Sequence, residues 1–487
     1  MMDSEQRLES VRYLMVQEGI DALVVPRADE HLGEYLPAHN ERLLWVSGFT
    51  GSAGAAVILR ERAAIFVDGR YTVQVRKQVD AQLFEYCDLL QQPPLQWLLQ
   101  QLPAGSRVAC DPRLHSLLWY RDTVAALAAA QMQLYVTQDN VIDRCWAQRP
   151  QAVVAPALLL DQAFTGESSA GKRGRMAAEV AAAGCDAALV FAPDSVSWLL
   201  NIRGRDIPRL PVVQSFALLL ADASLILFIH PARIPPGFNQ HVGEDVRVVP
   251  ADEADTILAT MTGKRILTDP DAANAWTQLA LEQAGATLVT GEDPVLLAKA
   301  CKNPVELAGT RRAHLRDAVA EIQFLAWLDA QVAAGQLHDE AVLADKLLAL
   351  RSQQAHFQDL SFDTISAAGA NAAMCHYNHL DGQPASLTMD SVYLVDSGGQ
   401  YLDGTTDITR TVAIGNPGDE VRRMFTLVLK GHIALDRARF PPGTTGTQLD
   451  ALARQFLWRE GYDFDHGTGH GVGVFLSVHE GPHRISK

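Results

Sequence analysis

The chain has 487 residues, enough for about three domains with separate cores. Hydrophobic residues make up 48% and charged residues 20%, an ordinary globular composition that excludes a disordered chain. A formal net charge of −16 argues against nucleic acid or an anionic membrane as a partner, because neither is attracted to it, and is compatible with a cationic ligand such as the free amino end of a peptide.

The first predicted element is an amphipathic helix that Asp3 or Ser4 can cap and Gly19 can end in the left-handed conformation. A short buried strand, Leu23-Val24-Val25, follows, then a loop and a segment carrying Trp45. The same order recurs about 165 residues later, with a helix through Arg175, a stop at Gly184, the strand ALVF and a segment carrying Trp198. Two such units predict a duplicated α/β domain. Between them, Trp146 to Gly174 reads as a linker rich in Pro, Gly, Ser and Ala. Within it, GESSAGK matches most of a phosphate-binding loop, but Arg173 stands where Ser or Thr would bind magnesium, and ALLLDQAFT is a poor preceding strand. A solvated loop is expected there.

A third unit opens at Asn303-Pro304-Val305-Glu306, a capping residue, a first-turn proline and an acid suited to the positive helix end. Leu315, Val319, Ile322, Leu325 and Leu328 continue the pattern of a long helix. A second helix (Asp339 to Arg351), a strand-like SFDTISAAG and two amphipathic helices, GDEVRRMFTLVLKGHIALDRA and TQLDALARQFLWREG, come after it. The expected domains are 1–145, 146–302 and 303–487. Six scattered cysteines without a C-x-x-C pair point to a reducing compartment. The opening MMDSEQRLESVRYLM has no signal-like apolar run, and no stretch nears the roughly eighteen apolar residues of a membrane helix. The expectation is a soluble, cytoplasmic protein.

The chemistry-bearing residues cluster late. Val392 to Val395 reads as an apolar strand ending at Asp396, SGGQ as a turn, and Tyr401 to Ile414 as a returning strand carrying Asp407. A hairpin would bring the two carboxylates together, and two acids so close cannot both stay ionised in a partly buried site without a cation between them. Carboxylate oxygens with imidazole suit manganese, zinc, cobalt or iron. His466 and His470 are separated by Gly-Thr-Gly, and glycines at 467, 469, 471 and 473 favour a strand or loop over a helix. His479 precedes the turn-like Glu480-Gly481-Pro482, and His376 follows an apparent strand from Phe362. Any one of these is more often a turn acid or a surface histidine; together they point to a metal-dependent hydrolase.

Six motifs, LLWVSGFTGSAG, FVDGRY, WLLNIRGRDIP, NPVELAGTRRAHLRDAV, VDSGGQYLDGTTDITRT and HGTGHGVGVFLSVHEGP, occur in this order along nearly the whole chain. In them the chain resembles the aminopeptidase P family, the Xaa-Pro aminopeptidases, and most closely its long, three-domain cytosolic branch. The resemblance implies two related α/β, creatinase-like domains followed by a pita-bread metallopeptidase domain. It implies two divalent metal ions, usually manganese, held by Asp396, Asp407 (bridging both) and His470. His376 and His479 would contact substrate and stabilise the tetrahedral intermediate, and His466 would lie at the substrate pocket. The substrate would be a peptide with proline second. No nucleic-acid or membrane partner is implied, and relatives are often dimers, so a homodimer is an expectation. The family completes its metal site with two glutamates beyond the HEGP segment, whereas this sequence stops at Lys487, seventeen residues after His470. Glu480 belongs to that segment and is no substitute. The third domain is therefore expected to be truncated, its metal site incomplete, and the chain as given inactive or nearly so. Two alternatives share the fold: a non-catalytic peptide-binding module and a prolidase-type dipeptidase.

Overall fold

The structure, a computed structural model, describes residues 2–487. It divides into two compact units, one formed by the chain up to Leu159 with Glu167–Pro208 and Val212–Val295, the other by Leu160–Gly166, Arg209–Pro211 and Leu296–Lys487.

The first unit contains two α/β lobes. In the first lobe, helix α1 (Ser4–Gln17) begins at a capping box: Asp3 Oδ1 accepts from the Gln6 N–H at 2.9 Å, and Gln6 returns its side-chain oxygen to the Asp3 N–H. The helix buries Leu8, Val11 and Met15, and Gly19, with φ +64°, releases the chain into the sheet. That sheet holds β1 (Ala22–Pro26), β2 (Ala55–Leu59), β3 (Ala63–Val67), β4 (Glu85–Asp88), β5 (Arg107–Cys110) and β6 (Gln133–Val136) in the order β4-β3-β2-β1-β5-β6. The second lobe places α2 (Ser169–Ala182) before β7 (Ala187–Val190), β8 (Ser215–Leu220), β9 (Leu225–Ile229), β10 (Val246–Val249), β11 (Arg265–Thr268) and β12 (Thr287–Thr290), ordered β10-β9-β8-β7-β11-β12. Strand directions repeat as well. Each lobe has two successive antiparallel pairs, flanked by one parallel pair on one side and two on the other. The duplication read from helix–strand–Trp units is thus a repeated topology.

The expected linker and solvated loop are corrected. Helix α2 starts inside that stretch, with Ser168 Oγ accepting from the Gly171 N–H at 3.1 Å. Lys172 and Arg173 are buried. The Lys172 ammonium donates to the Trp198 carbonyl (3.0 Å) and Asn201 Oδ1 (2.8 Å) and lies 3.8 Å from the centre of the Trp198 ring. Arg173 donates to the carbonyls of Ala223 and Val242. Carbonyl oxygens and an aromatic face replace water, which lets a basic pair that looks like a surface loop sit inside a lobe. Lys172→Ala takes the ammonium donor from the buried Asn201 Oδ1 and one of the donors from the Trp198 carbonyl, and should cost about 3 kcal/mol, read as a lower urea midpoint with an unchanged slope; an unaltered midpoint would refute the assignment.

In the second unit, α3 (Pro304–Ala333) opens with the expected cap, Asn303 Oδ1 accepting from Val305 and Glu306 while Glu306 accepts from the Asn303 N–H. Its inner face is not the one the apolar pattern indicated. Leu328 is buried, but Leu315, Val319 and Ile322 are 71%, 47% and 66% exposed. Facing inward instead are Gly309, Ala313, Asp317, Ala320 and Glu321. Small residues are needed there because a Cβ on Gly309 would come within 2.4 Å of the Asp403 carbonyl oxygen, and one on Gly404 within 2.7 Å of Ala313 Cβ.

Helix α4 (Glu340–Arg351) is followed by β13 (Phe357–Leu360), for which no strand was expected, and by β14 (Ile365–Ala368), which lies within the strand expected from Phe362. Next come β15 (Ser391–Ser397), β16 (Gly399–Tyr401), β17 (Gly404–Thr405) and β18 (Ile408–Ile414), forming the sheets β14-β15-β18 and β13-β16-β17. Phe324, Leu328, Leu343, Leu347, Leu387, Tyr393, Val395 and Ile414 form the core under the first of these sheets. Helices α5 (Gly418–Asp436) and α6 (Gly446–Trp458) pack closely, with Gly431 against the Ala453 carbonyl, before β19 (Gly469–Gly471) pairs with β20 (Glu480–Ile485). Among the described residues, no helix is long and apolar enough to cross a membrane.

Candidate metal centre

Strands β15 and β18 pair antiparallel from Ser391↔Ile414 to Ser397↔Ile408, which sets Asp396 opposite Thr409 and leaves Asp407 at the entry to β18. The carboxylates therefore share one end of one strand pair, as the hairpin reading required. SGGQ, however, is not the turn. The chain leaves the sheet at Ser397, forms a second hairpin from β16 and β17, and returns through Thr406. Gly398 makes this crossing feasible, since a Cβ there would lie 1.9 Å from the Thr406 carbonyl oxygen and 2.2 Å from Ser361 Oγ.

Two features mark the site as built for a cation. Asp396 Oδ1 is buried without a hydrogen-bond partner. His470 supplies the second. Its Nδ1 lies 2.7 Å from the Gly471 carbonyl oxygen, which can only accept, so in the neutral ring Nδ1 carries the proton. The bare Nε2 then points at Asp407 Oδ2 from 3.0 Å. Lone pair facing lone pair is repulsive unless a positive charge sits between, and a backbone-anchored imidazole of this kind is the usual arrangement in metal-ligating histidines. His479 adds a third group: its ring meets that of His470 edge-on at 4.5 Å, and Asp407, His470 and His479 each offer an atom within 4.8 Å of the others. The close cluster is thus Asp407, His470 and His479, and Asp396 adjoins it beside Asp407.

Burial first, and then the charge of Asp407, push the Asp396 carboxyl up to about 7. In metal-free protein the native state then binds a proton that the unfolded chain, with an ordinary Asp near 3.9, has already lost. This group's effect is thus a stability that falls as pH rises from about 4 to about 7. In chelator, the melting temperature of the parent should drop more steeply over that range than that of Asp396→Asn; parallel pH profiles would contradict the pairing.

The remaining histidines are placed differently. His466 is exposed, stacked on Phe464 at 4.5 Å, with Nδ1 2.7 Å from the Gly467 carbonyl. His376 is half-buried in the loop between the short helical turns Gly369–Ala373 and His379–Asp381. That loop is tied to α4 by a residue the sequence did not single out. Glu340, fully buried, accepts from the Ala368 N–H (2.7 Å) and Asn371 amide (2.9 Å) on Oε1, and from the Tyr377 hydroxyl (2.8 Å) and Ala385 N–H (2.8 Å) on Oε2. Glu480-Gly481-Pro482, expected as a turn, begins β20. Proline is tolerated there because the sheet has only two strands. The Glu480 carboxylate is buried against Lys302 (2.6 Å) and Lys299 (3.9 Å), an ion pair that occupies it away from the ligand role.

Over 511 residues the chain is 39% identical to a "Probable Xaa-Pro aminopeptidase P" of Tuber melanosporum, an alignment covering 99% of this chain and 81% of that protein. The chain belongs to the Xaa-Pro aminopeptidase P family. "Aminopeptidase P1" of Arabidopsis thaliana is 36% identical over 98% of this chain and 82% of its own length. The X-prolyl aminopeptidase of Caenorhabditis elegans, described as a cytosolic enzyme with a di-nuclear active site, superposes with a TM-score of 0.95 at 35% identity, over 100% of this chain and 82% of that one. Residues 308–487 match "Metallopeptidase family M24", and 7–145 and 148–306 each match a "Creatinase/Prolidase N-terminal domain". These alignments run over almost all of the present chain and about four fifths of the relatives' own length.

Proposed function

We propose that this chain is a Xaa-Pro aminopeptidase that releases the N-terminal residue of peptides with proline second, using two divalent metal ions, manganese by preference, held by Asp396, Asp407 and His470. The observation that carries this reading is the apposition of a bare imidazole nitrogen and a carboxylate oxygen at 3.0 Å beside a partnerless buried carboxylate oxygen. When bound, such ions supply Lewis acidity and a nucleophile near neutral pH. The chain's own residues do the rest. Gly471 holds the His470 ring so that Nε2 faces inward. His479 and His376 donate hydrogen bonds to the oxyanion as it develops, each worth roughly 3 kcal/mol in the transition state. His466 borders the pocket for the substrate. An acidic protein attracts the free amino end of the peptide, and proline selectivity suits a site shaped for a tertiary amide, whose scissile nitrogen carries no hydrogen to donate.

We place the domains at 1–145, 146–302 and 303–487. A cytoplasmic location is supported by six cysteines that are all free thiols and by the cytosolic nematode relative. We also propose a homodimer with neither nucleic acid nor membrane as partner. The test is release of arginine from Arg-Pro-Pro by the metal-free chain supplemented with manganese. Turnover that requires the metal and disappears with Arg-Ala-Pro is expected; manganese uptake without turnover would favour a peptide-binding module.

A further inference from the structure

Behind the aspartate hairpin lies a carboxylate that the chemistry above does not use. Asp317 of α3 has no exposed side-chain surface, and four donors converge on it. Arg351 Nε (2.5 Å) and the Tyr401 hydroxyl (2.7 Å) reach Oδ1; Arg351 Nη2 (3.0 Å) and Thr406 Oγ1 (2.9 Å) reach Oδ2. Arg351, the last residue of α4 and equally buried, continues from Nη2 to Ser397 Oγ at 3.2 Å. Ser397 is the residue after Asp396, and Thr406 is the residue before Asp407. Thr406 is held from two more sides: its hydroxyl accepts from the Gly399 N–H (2.9 Å) and its carbonyl from the Ser361 hydroxyl (2.8 Å).

We propose that Asp317 and Arg351 are positioning residues for the metal centre, a clamp from α3 and α4 that fixes the spacing of the Asp396 and Asp407 carboxylates by gripping the next residue in the chain beside each. A buried ion pair is a poor source of net stability, since apolar residues of similar volume can do as well, and its best-attested use is to impose one geometry. Here both ends of that geometry terminate beside a ligand, and ligands must be held to about 0.5 Å to bind a metal well. The clamp touches neither substrate nor metal. This inference rests on the metal-centre reading given under Proposed function.

The experiment measures manganese binding to the full chain, by the paramagnetic resonance signal of free manganese, alongside the melting temperature in chelator. Thr406→Val removes the hydroxyl at nearly constant shape, Thr406→Ser restores it, and Tyr401→Phe removes a different donor to Asp317 in case Thr406→Val folds poorly. Leu328→Ala, in the core of the same unit, supplies a loss of stability unconnected with the clamp. Thr406→Val and Tyr401→Phe should each weaken manganese binding about 10- to 100-fold. Thr406→Ser should stay within about threefold of the parent, and Leu328→Ala should melt earlier yet bind as the parent does. Binding unchanged in both Thr406→Val and Tyr401→Phe, or weakened as much by Leu328→Ala, would overturn the clamp while leaving the metal centre standing. A parent chain that takes up no manganese would overturn the metal-centre reading, and the clamp with it.

Discussion

Asp407→Asn will fold, melt higher than the parent in chelator, and release arginine from Arg-Pro-Pro at least about 10³-fold more slowly, a loss of about 4 kcal/mol in the barrier. The opposite signs share one cause. The asparagine amide can donate to His470 Nε2 where the carboxylate of Asp407 faces it lone pair to lone pair, and the like charge beside Asp396 disappears. The substitution thus relieves a conflict that otherwise takes a proton or a metal ion between the two atoms to resolve, and in doing so would remove the anionic group proposed as a metal ligand. Stability and activity trade against one another at such sites. Calorimetric melting and peptide turnover on the same sample check both halves, and a variant that melts lower, or keeps activity within tenfold, would show that the apposition is not the seat of metal binding.

Glu340→Ala should have the largest effect on folding. Four donors from the loop that carries His376 and its flanks lose their shared acceptor, the buried Glu340 carboxylate, and two of them are backbone N–H groups. The cost should be about 4 kcal/mol, in the range for removing one partner of a buried charged group. Because Glu340 binds both flanks of the loop, its loss should also free residues 369–385 to exchange amide hydrogens faster than the rest of the unit. Glu340→Gln keeps one acceptor oxygen and should recover part of the melting temperature. Exchange protection of the loop unchanged in Glu340→Ala would refute the anchoring role.

What the sequence disclosed follows from how local each signal is. The cap at Asn303 and the stop at Gly19 depend on residues within a few positions of one another and occur as read, whereas the acid-bearing strands pair as expected but with a second hairpin inserted between them. Asp396, Asp407 and His470 were legible because a polar residue at the end of an apolar strand, or among glycines, has few structural reasons to be there. Asp317, Arg351 and Glu340 were not, because a charged residue on an amphipathic helix normally faces water, and only partners 28 to 89 positions away show otherwise. The apolar stripe of Leu315, Val319 and Ile322 misled for the converse reason: close backbone approach fixes the face bearing Gly309 and Ala313 inward, and the stripe falls on the other side. Lys172 was expected in a solvated loop because a lysine among small residues, with no nearby partner in sequence, ordinarily faces water; its acceptors, the Trp198 carbonyl and Asn201 Oδ1, lie 26 and 29 positions away.

The crossing at Gly398 carries an evolutionary consequence. Side chains alternate between the faces of β15 and β18, so a slip of one residue in their pairing would turn one carboxylate away from the other. The excursion from Ser397 to Ile408 is pinned at both ends and has no slack to absorb a change in length. Insertions and deletions should accordingly be lethal between those positions in any lineage that keeps the enzyme, while the exposed connection between α5 and α6 tolerates them.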